Sequence, residues 1–114
     1  LKPAAPTGTS QGSTKTNYTY TASTTDPNGD KLYYKFSFGD GTYSAWLGPY
    51  TSGVNVTVSH NWTKSGSYNV QVRAMDTHHS QSDWSDPLPV KMPYRPWWVD
   101  VLQRILAFFH RIFA

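Results

Sequence analysis

Apolar residues recur at every second position over several short runs of this chain, and each run is closed by a turn of recognisable chemistry. A period of two sends alternate side chains to opposite faces, the signature of a half-buried strand. In "NYTYTASTT" (17–25), Tyr18, Tyr20 and Ala22 share one face, and Asn17, Thr19 and Thr21 share the other. In "KLYYKFSF" (31–38), Leu32, Tyr34, Phe36 and Phe38 face one way, with Tyr33, Lys35 and Ser37 opposite. "GVNVTVSHNW" (53–62) is expected to turn Val54, Val56 and Val58 inward, and "SYNVQVRAMD" (67–76) Tyr68, Val70, Val72 and Ala74. Between these runs stand "DPNGD" (26–30), "GDG" (39–41) and "KSG" (64–66). Pro presets φ, while Gly and Asn tolerate left-handed dihedrals, so these are turns by chemistry. "TYSAWLGPY" (42–50) reads as a shorter, less regular strand, and "PLPVKM" (87–92) as the last one, after the loop "THHSQSDWSD" (77–86). About seven strands at regular spacing predict a mainly β chain, a two-sheet antiparallel sandwich.

Length and composition narrow the class further. A chain of 114 residues supports one domain with a modest core. Only 15% of residues are charged, and Thr and Ser abound, which suits an extracellular β module better than a cytosolic enzyme. There is no Cys, so a structural disulfide, a Cys-based zinc site and a thiol nucleophile are all excluded. The net charge is +3, but the Lys and Arg residues are scattered along the sequence. No basic run with interleaved aromatics stands out, so nucleic acid is not an expected partner. Residues 1–16, "LKPAAPTGTSQGSTKT", read as a linker leading into a first edge strand. The chain starts at Leu1 without a signal peptide and is read as a mature or trimmed piece of a longer product.

Two stretches carry a family likeness. "YKFSFGDGT" (34–42) resembles the aromatic-x-Phe-Gly-Asp-Gly signature of PKD domains. "HNWTKSGSYNVQVRAMD" (60–76) resembles the same family's His-x-aromatic, Gly-x-Tyr-x-Val and terminal Asp pattern. The likeness spans residues 17–91 and is greatest to PKD-like modules of secreted archaeal surface proteins, through "DPNGD" and "SDWSDP". It implies a seven-stranded Ig-like sandwich over 17–92, an extracellular or cell-surface setting, and a binding or spacer role without catalysis. The chain departs from the pattern with Trp62 where Tyr is usual, a longer "SAWLGPYTSG" segment, and "DTHHS" in place of a Gly-containing loop.

Several residues invite a chemical reading, each with a plainer one beside it. Asp26, Asn28 and Asp30 stand at alternate positions of a turn, and alternate oxygen side chains can converge on a hard cation such as calcium. In an Ig-like order Asp76 opens a loop at the same end and is the expected fourth ligand. The plainer reading has these residues capping turns through their own backbones. His78 and His79 read as members of a solvated loop, since zinc wants more ligands than they offer. His60 is in phase with the core valines and reads as a buried, hydrogen-bonded residue. Asn17, Asn55 and Asn61 open N-glycosylation sequons, and all three fall on the outward phase of their strands. Trp46, Trp62 and Trp84 offer a sugar-stacking platform, against core or edge packing, which the phase of Trp62 favours. The face with Tyr33, Lys35, Gln71 and Arg73 is the more plausible protein-binding face. Asp40, Asp83 and Asp86 are carboxylates that nothing in the sequence brings together for glycoside cleavage. No nucleophile elbow, phosphate loop or His–Glu metal motif is present, so the chain is not expected to be an enzyme.

The segment after "MPYRP" is of another kind. Placed at helical steps, residues 97–114 put Asp100, Gln103, Arg104, Ala107, His110 and Arg111 within about a third of the circle. Trp97, Trp98, Val101, Leu102, Ile105, Phe108, Phe109, Ile112 and Phe113 lie in the remaining arc. Pro96 suits a helix start, Asp100 the first turn and Arg111 the last. A C-terminal amphipathic helix is therefore expected over 93–114. Its polar residues make it a poor membrane span, yet so wide an apolar arc left in water is an aggregation liability. Four coverings compete: the sandwich itself, a membrane surface, a different protein, or other copies of the same helix. An apolar arc this wide suits the interior of a bundle best. The preferred reading is thus self-assembly into an oligomer or filament, with membrane anchoring and a carbohydrate-binding accessory role as alternatives.

Overall fold

A computed structural model describes residues 1–93 and, beyond them, Ile105. The strands are β1 (Thr7–Gly8), β2 (Tyr18–Ala22), β3 (Leu32–Ser37), β4 (Leu47–Tyr50), β5 (Val56–His60), β6 (Gly66–Asp76) and β7 (Leu88–Met92). One sheet has the order β1-β2-β5 and the other β4-β3-β6-β7. Every strand pair is antiparallel, as expected of the sandwich.

The period-two pattern becomes the core directly. β3 alternates buried and half-buried along its whole length, with Leu32, Tyr34 and Phe36 inside. Val70, Val72 and Ala74 of β6 oppose Tyr20 and Ala22 of β2 and Val56 of β5 across the sandwich, and Val90 and Met92 of β7 complete the layer. Trp62, just past β5, is 1% exposed and is the largest side chain in the core. Burial of large apolar groups contributes about 1.5–3 kcal/mol each, so this layer dominates stability.

Three details differ from the sequence reading. Val54 is 43% exposed. Its N–H donates to the Thr51 carbonyl at 3.2 Å, closing a turn, so the strand starts only at Val56. The strand expected over 42–50 is continuous only at Leu47–Tyr50, and before it the chain meets β3 through an isolated antiparallel bridge of Tyr43 to Ser37. There the Ser44 N–H donates to the Phe36 carbonyl at 2.9 Å, and the Ser44 Oγ accepts from the Phe36 N–H, also at 2.9 Å.

Residues 1–16 are held more tightly than a linker. Pro3 and Pro6 are buried, β1 pairs with β2, and the Tyr20 hydroxyl donates to the Thr9 carbonyl at 2.8 Å. The chain then crosses to the other sheet. Gln11 forms a parallel bridge with Lys91, whose N–H donates to the Ser10 carbonyl (2.9 Å) and whose carbonyl accepts from the Gly12 N–H (3.1 Å). One short segment thus edges both sheets. The expected helix over 93–114, with Trp97, Trp98, Val101, Leu102, Phe108, Phe109, Ile112 and Phe113, falls outside the described residues. Ile105, the one described residue there, has helical backbone, and one residue defines no element.

Candidate functional site

The two sequence signatures meet in space at one end of β3. The FGDG turn places Gly39 at φ 76°, a left-handed value that suits glycine. A Cβ there would lie 2.7 Å from the Asn69 backbone nitrogen, so the turn is packed directly on β6. The turn aims Asp40 at His60, with Oδ2 2.9 Å from Nε2. The other carboxylate oxygen accepts from the Thr42 N–H at 3.0 Å and from the Thr42 hydroxyl. Burial pushes the Asp40 carboxyl up, but the hydrogen bonds from Thr42 and His60 more than reverse this and hold it below the usual carboxylate value. The His60 ring stacks parallel on Phe38 at 3.9 Å and meets Trp62 edge-on at 4.8 Å. Trp62 stacks on Tyr68 at 5.4 Å, and its indole N–H donates to the Phe38 carbonyl at 3.1 Å. His60 is therefore a stacked, hydrogen-bonded framework residue, and Asp40 is occupied by it.

The opposite end holds the residues expected to bind calcium. Asp26 Oδ1 accepts from the N–H groups of Asn28 (2.7 Å) and Asp30 (3.2 Å). Asp76 Oδ1 repeats the device on the neighbouring loop, accepting from the N–H groups of His78 (2.8 Å) and Ser80 (2.9 Å). The Ser80 bond is the main cause that holds the Asp76 carboxyl below its ordinary value. Asp30 and Asp76 do come together, as their loops' shared end implies. The third member of their group is His78: the three ligand atoms lie within 4.8 Å of one another, and His78 Nδ1 is 3.6 Å from Asp30 Oδ2. Asp26 does not belong to that group, and Asn28 is an exposed residue of the Asp26 turn. His78, read from sequence as part of a solvated loop, reaches it because the β6–β7 loop turns back on Asp76, a tertiary fact without a local signal.

The two outer faces differ in chemistry. On the three-stranded sheet Asn17, Asn55 and Asn61 are all exposed, and Asn61 Nδ2 donates to Asn17 Oδ1 at 2.7 Å. The four-stranded sheet carries Lys35, Arg73, Trp46 and Trp84 in one patch, with Lys35 and Arg73 in cross-strand register. Of the three tryptophans read as a sugar platform, Trp62 is buried in the core and takes no part; Trp46 and Trp84 are half-buried at the surface. Of the carboxylates considered for catalysis, Asp40 meets His60 and Asp86 meets Lys2 at 3.3 Å.

The PKD domain family model matches residues 1–91. The chain belongs to the PKD domain family. A solved structure, the PKD domain of an M14-like peptidase from Thermoplasmatales archaeon SCGC AB-540-F20, is 44% identical to it. That likeness covers 82% of this chain and 98% of that chain, with a TM-score of 0.74. Among curated proteins none matches. The PKD domain is a non-catalytic module, commonly found in extracellular or surface proteins. The family match begins at residue 1, so the segment read as a linker is part of the PKD unit, and it stops at residue 91, short of the tail.

Proposed function

We propose that this PKD domain is a non-catalytic display module of an extracellular or cell-surface protein, and that residues 97–114 join copies of the chain into an oligomer or filament. The observation that supports this reading is that the described residues form a sandwich with a core of their own. Among the described residues its core comprises thirteen side chains, all from residues 20–92. Among the described residues no buried side-chain polar atom lacks a hydrogen-bond partner. The apolar arc of the tail sequence needs a covering, and a second copy supplies the same chemistry. In this reading Trp97, Trp98, Phe108, Phe109 and Phe113 carry most of the association, as large aromatics do at interfaces. Asn17, Asn55 and Asn61 would then carry sugar on the solvent shell of the assembly.

The test is negative-stain microscopy with light scattering on the intact chain and on a truncation ending at Met92. Discrete oligomers or filaments from the intact chain, monomers from the truncation, and the same sandwich melting transition in both are expected. Replacing Ile105 and Phe109 together by Asp should abolish assembly and leave that transition in place. Assembly that survives the double change would overturn the reading. Monomers from both chains, with the intact one floating on lipid vesicles, would replace it by anchoring at a membrane surface.

A further inference from the structure

The outer face of the four-stranded sheet joins aromatic rings to uncompensated positive charge. Lys35 Nζ lies 5.2 Å from the centroid of the Tyr43 ring and 5.8 Å from that of Trp46. The Arg73 guanidinium lies 4.9 Å over Trp84. Tyr43 and Trp84 are 6.1 Å apart, so the rings and cations form one continuous patch. Arg73 is fixed there by two hydrogen bonds to the Ser82 carbonyl, at 3.2 and 2.8 Å. Among the described residues neither Lys35 nor Arg73 has a carboxylate within ion-pairing distance. The outward positions of β3, β6 and β7 add Lys91 and no Asp or Glu. Tyr43, at 56% exposure, presents its ring to solvent.

The shape of this surface limits what fits. It is the outer face of a sheet. A peptide adding as a strand needs a free edge. The β4 edge carries Pro49, which lacks an N–H, and the β7 edge carries Pro89 and is covered by residues 10–12. Single-stranded nucleic acid also stacks on rings, but its affinity rests on many phosphate contacts, and this patch offers Lys35 and Arg73. A polymer of sugar rings bearing spaced carboxylates matches both components. Ring faces stack on Tyr43, Trp46 and Trp84, while carboxylates accept charge-assisted hydrogen bonds from Lys35 and the remaining N–H groups of Arg73.

We infer that this face binds an anionic polysaccharide of the polyuronate class. The inference stands apart from how the tail is covered. The intact chain is run through native gels containing polygalacturonate, a neutral galactan, polyaspartate or no polymer, and its affinities are measured by biolayer interferometry. Retention by polygalacturonate alone is expected, weakening with added salt. Tyr43→Ala should lower that affinity about tenfold and Lys35→Gln several-fold. Both side chains are surface groups, so the two variants should melt as the parent does, which keeps the readout separate from folding. No retention by polygalacturonate overturns the inference. Equal retention by polyaspartate, with Tyr43→Ala silent, overturns it in favour of nonspecific attraction of polyanions. Preference for the neutral galactan would show a ring platform that does not select charge.

Discussion

Both ends of β3 bring an Asp next to a His, and the two pairs are not equivalent. Asp40 and His60 meet at 2.9 Å with side chains 22% and 17% exposed. Asp30 and His78 stand 3.6 Å apart, with the imidazole 77% exposed. The first pair sits inside a stack of Phe38, His60, Trp62 and Tyr68, and the second sits on two self-capped loops. The same two residue types thus do different work according to what surrounds them. An exposed ion pair contributes about 0–1 kcal/mol, whereas a part-buried one backed by packing and backbone hydrogen bonds belongs to the core.

The sharpest way to break this contrast is Trp62→Ala. It removes the stack on Tyr68, the edge contacts with Tyr20 and His60 and the hydrogen bond to Phe38. A loss of about 3–5 kcal/mol is expected in denaturant unfolding. A loss below about 1 kcal/mol would mean that this end does not anchor the fold. Next in size is His60→Ala, expected to cost about 1–3 kcal/mol. His78→Ala, its counterpart at the other end, should stay within about 0.5 kcal/mol of the parent. Comparable losses from the two would erase the distinction.

Acid sharpens the same contrast. The Asp40 carboxyl has a lowered folded value. It therefore contributes stability that is present above the ordinary carboxylate range, near ~4, and is lost as pH falls through the folded value. Asp40→Asn should flatten the stability curve below about pH 4 and also lower stability at neutral pH, because the hydrogen bonds to His60 and Thr42 lose their charge assistance. Asp76 is shifted in the same direction, but Asp76→Asn keeps an acceptor for the Ser80 and His78 N–H groups, so its neutral-pH effect should be small. The smallest expected effect is that of EDTA. One oxygen of Asp26 and one of Asp76 are already engaged by backbone N–H groups, so the melting temperature should not move. A fall of several degrees on chelation would establish a calcium site around Asp30 and Asp76.

What was legible in the sequence follows the range of the interactions. β3 and β6 could be read residue by residue, since one buried face imposes alternation at every step from Leu32 to Phe38 and from Tyr68 to Ala74. The same rule failed at Val54, where a turn hydrogen bond to Thr51 outweighed the pattern. The shared end of Asp30 and Asp76 was legible from strand order, but His78 was not, because its approach depends on the path of the whole β6–β7 loop. Lys35 and Arg73 could be assigned to one face, and Trp46 and Trp84 noted separately. Their meeting depends on loops that carry no periodicity. In residues 1–16 the expected edge strand is present as β1, but Pro, Gly, Ser and Thr gave no sign that backbone hydrogen bonds, which any sequence can make, tie the segment to both sheets.

That last feature sets the order of events when the chain folds. Gln11 must wait for Lys91, so the contact that seals the second sheet spans nearly the whole module. Contacts so distant in sequence close slowly, since loop entropy is lost before they return anything. A chain synthesised from its N-terminus, at about 5–20 residues per second, cannot complete this module until β7 is available. Met92 is thus the shortest C-terminus that leaves the sealing pair and the last core residue intact. A chain cut a few residues earlier would keep most of its strands and lose the means to close them.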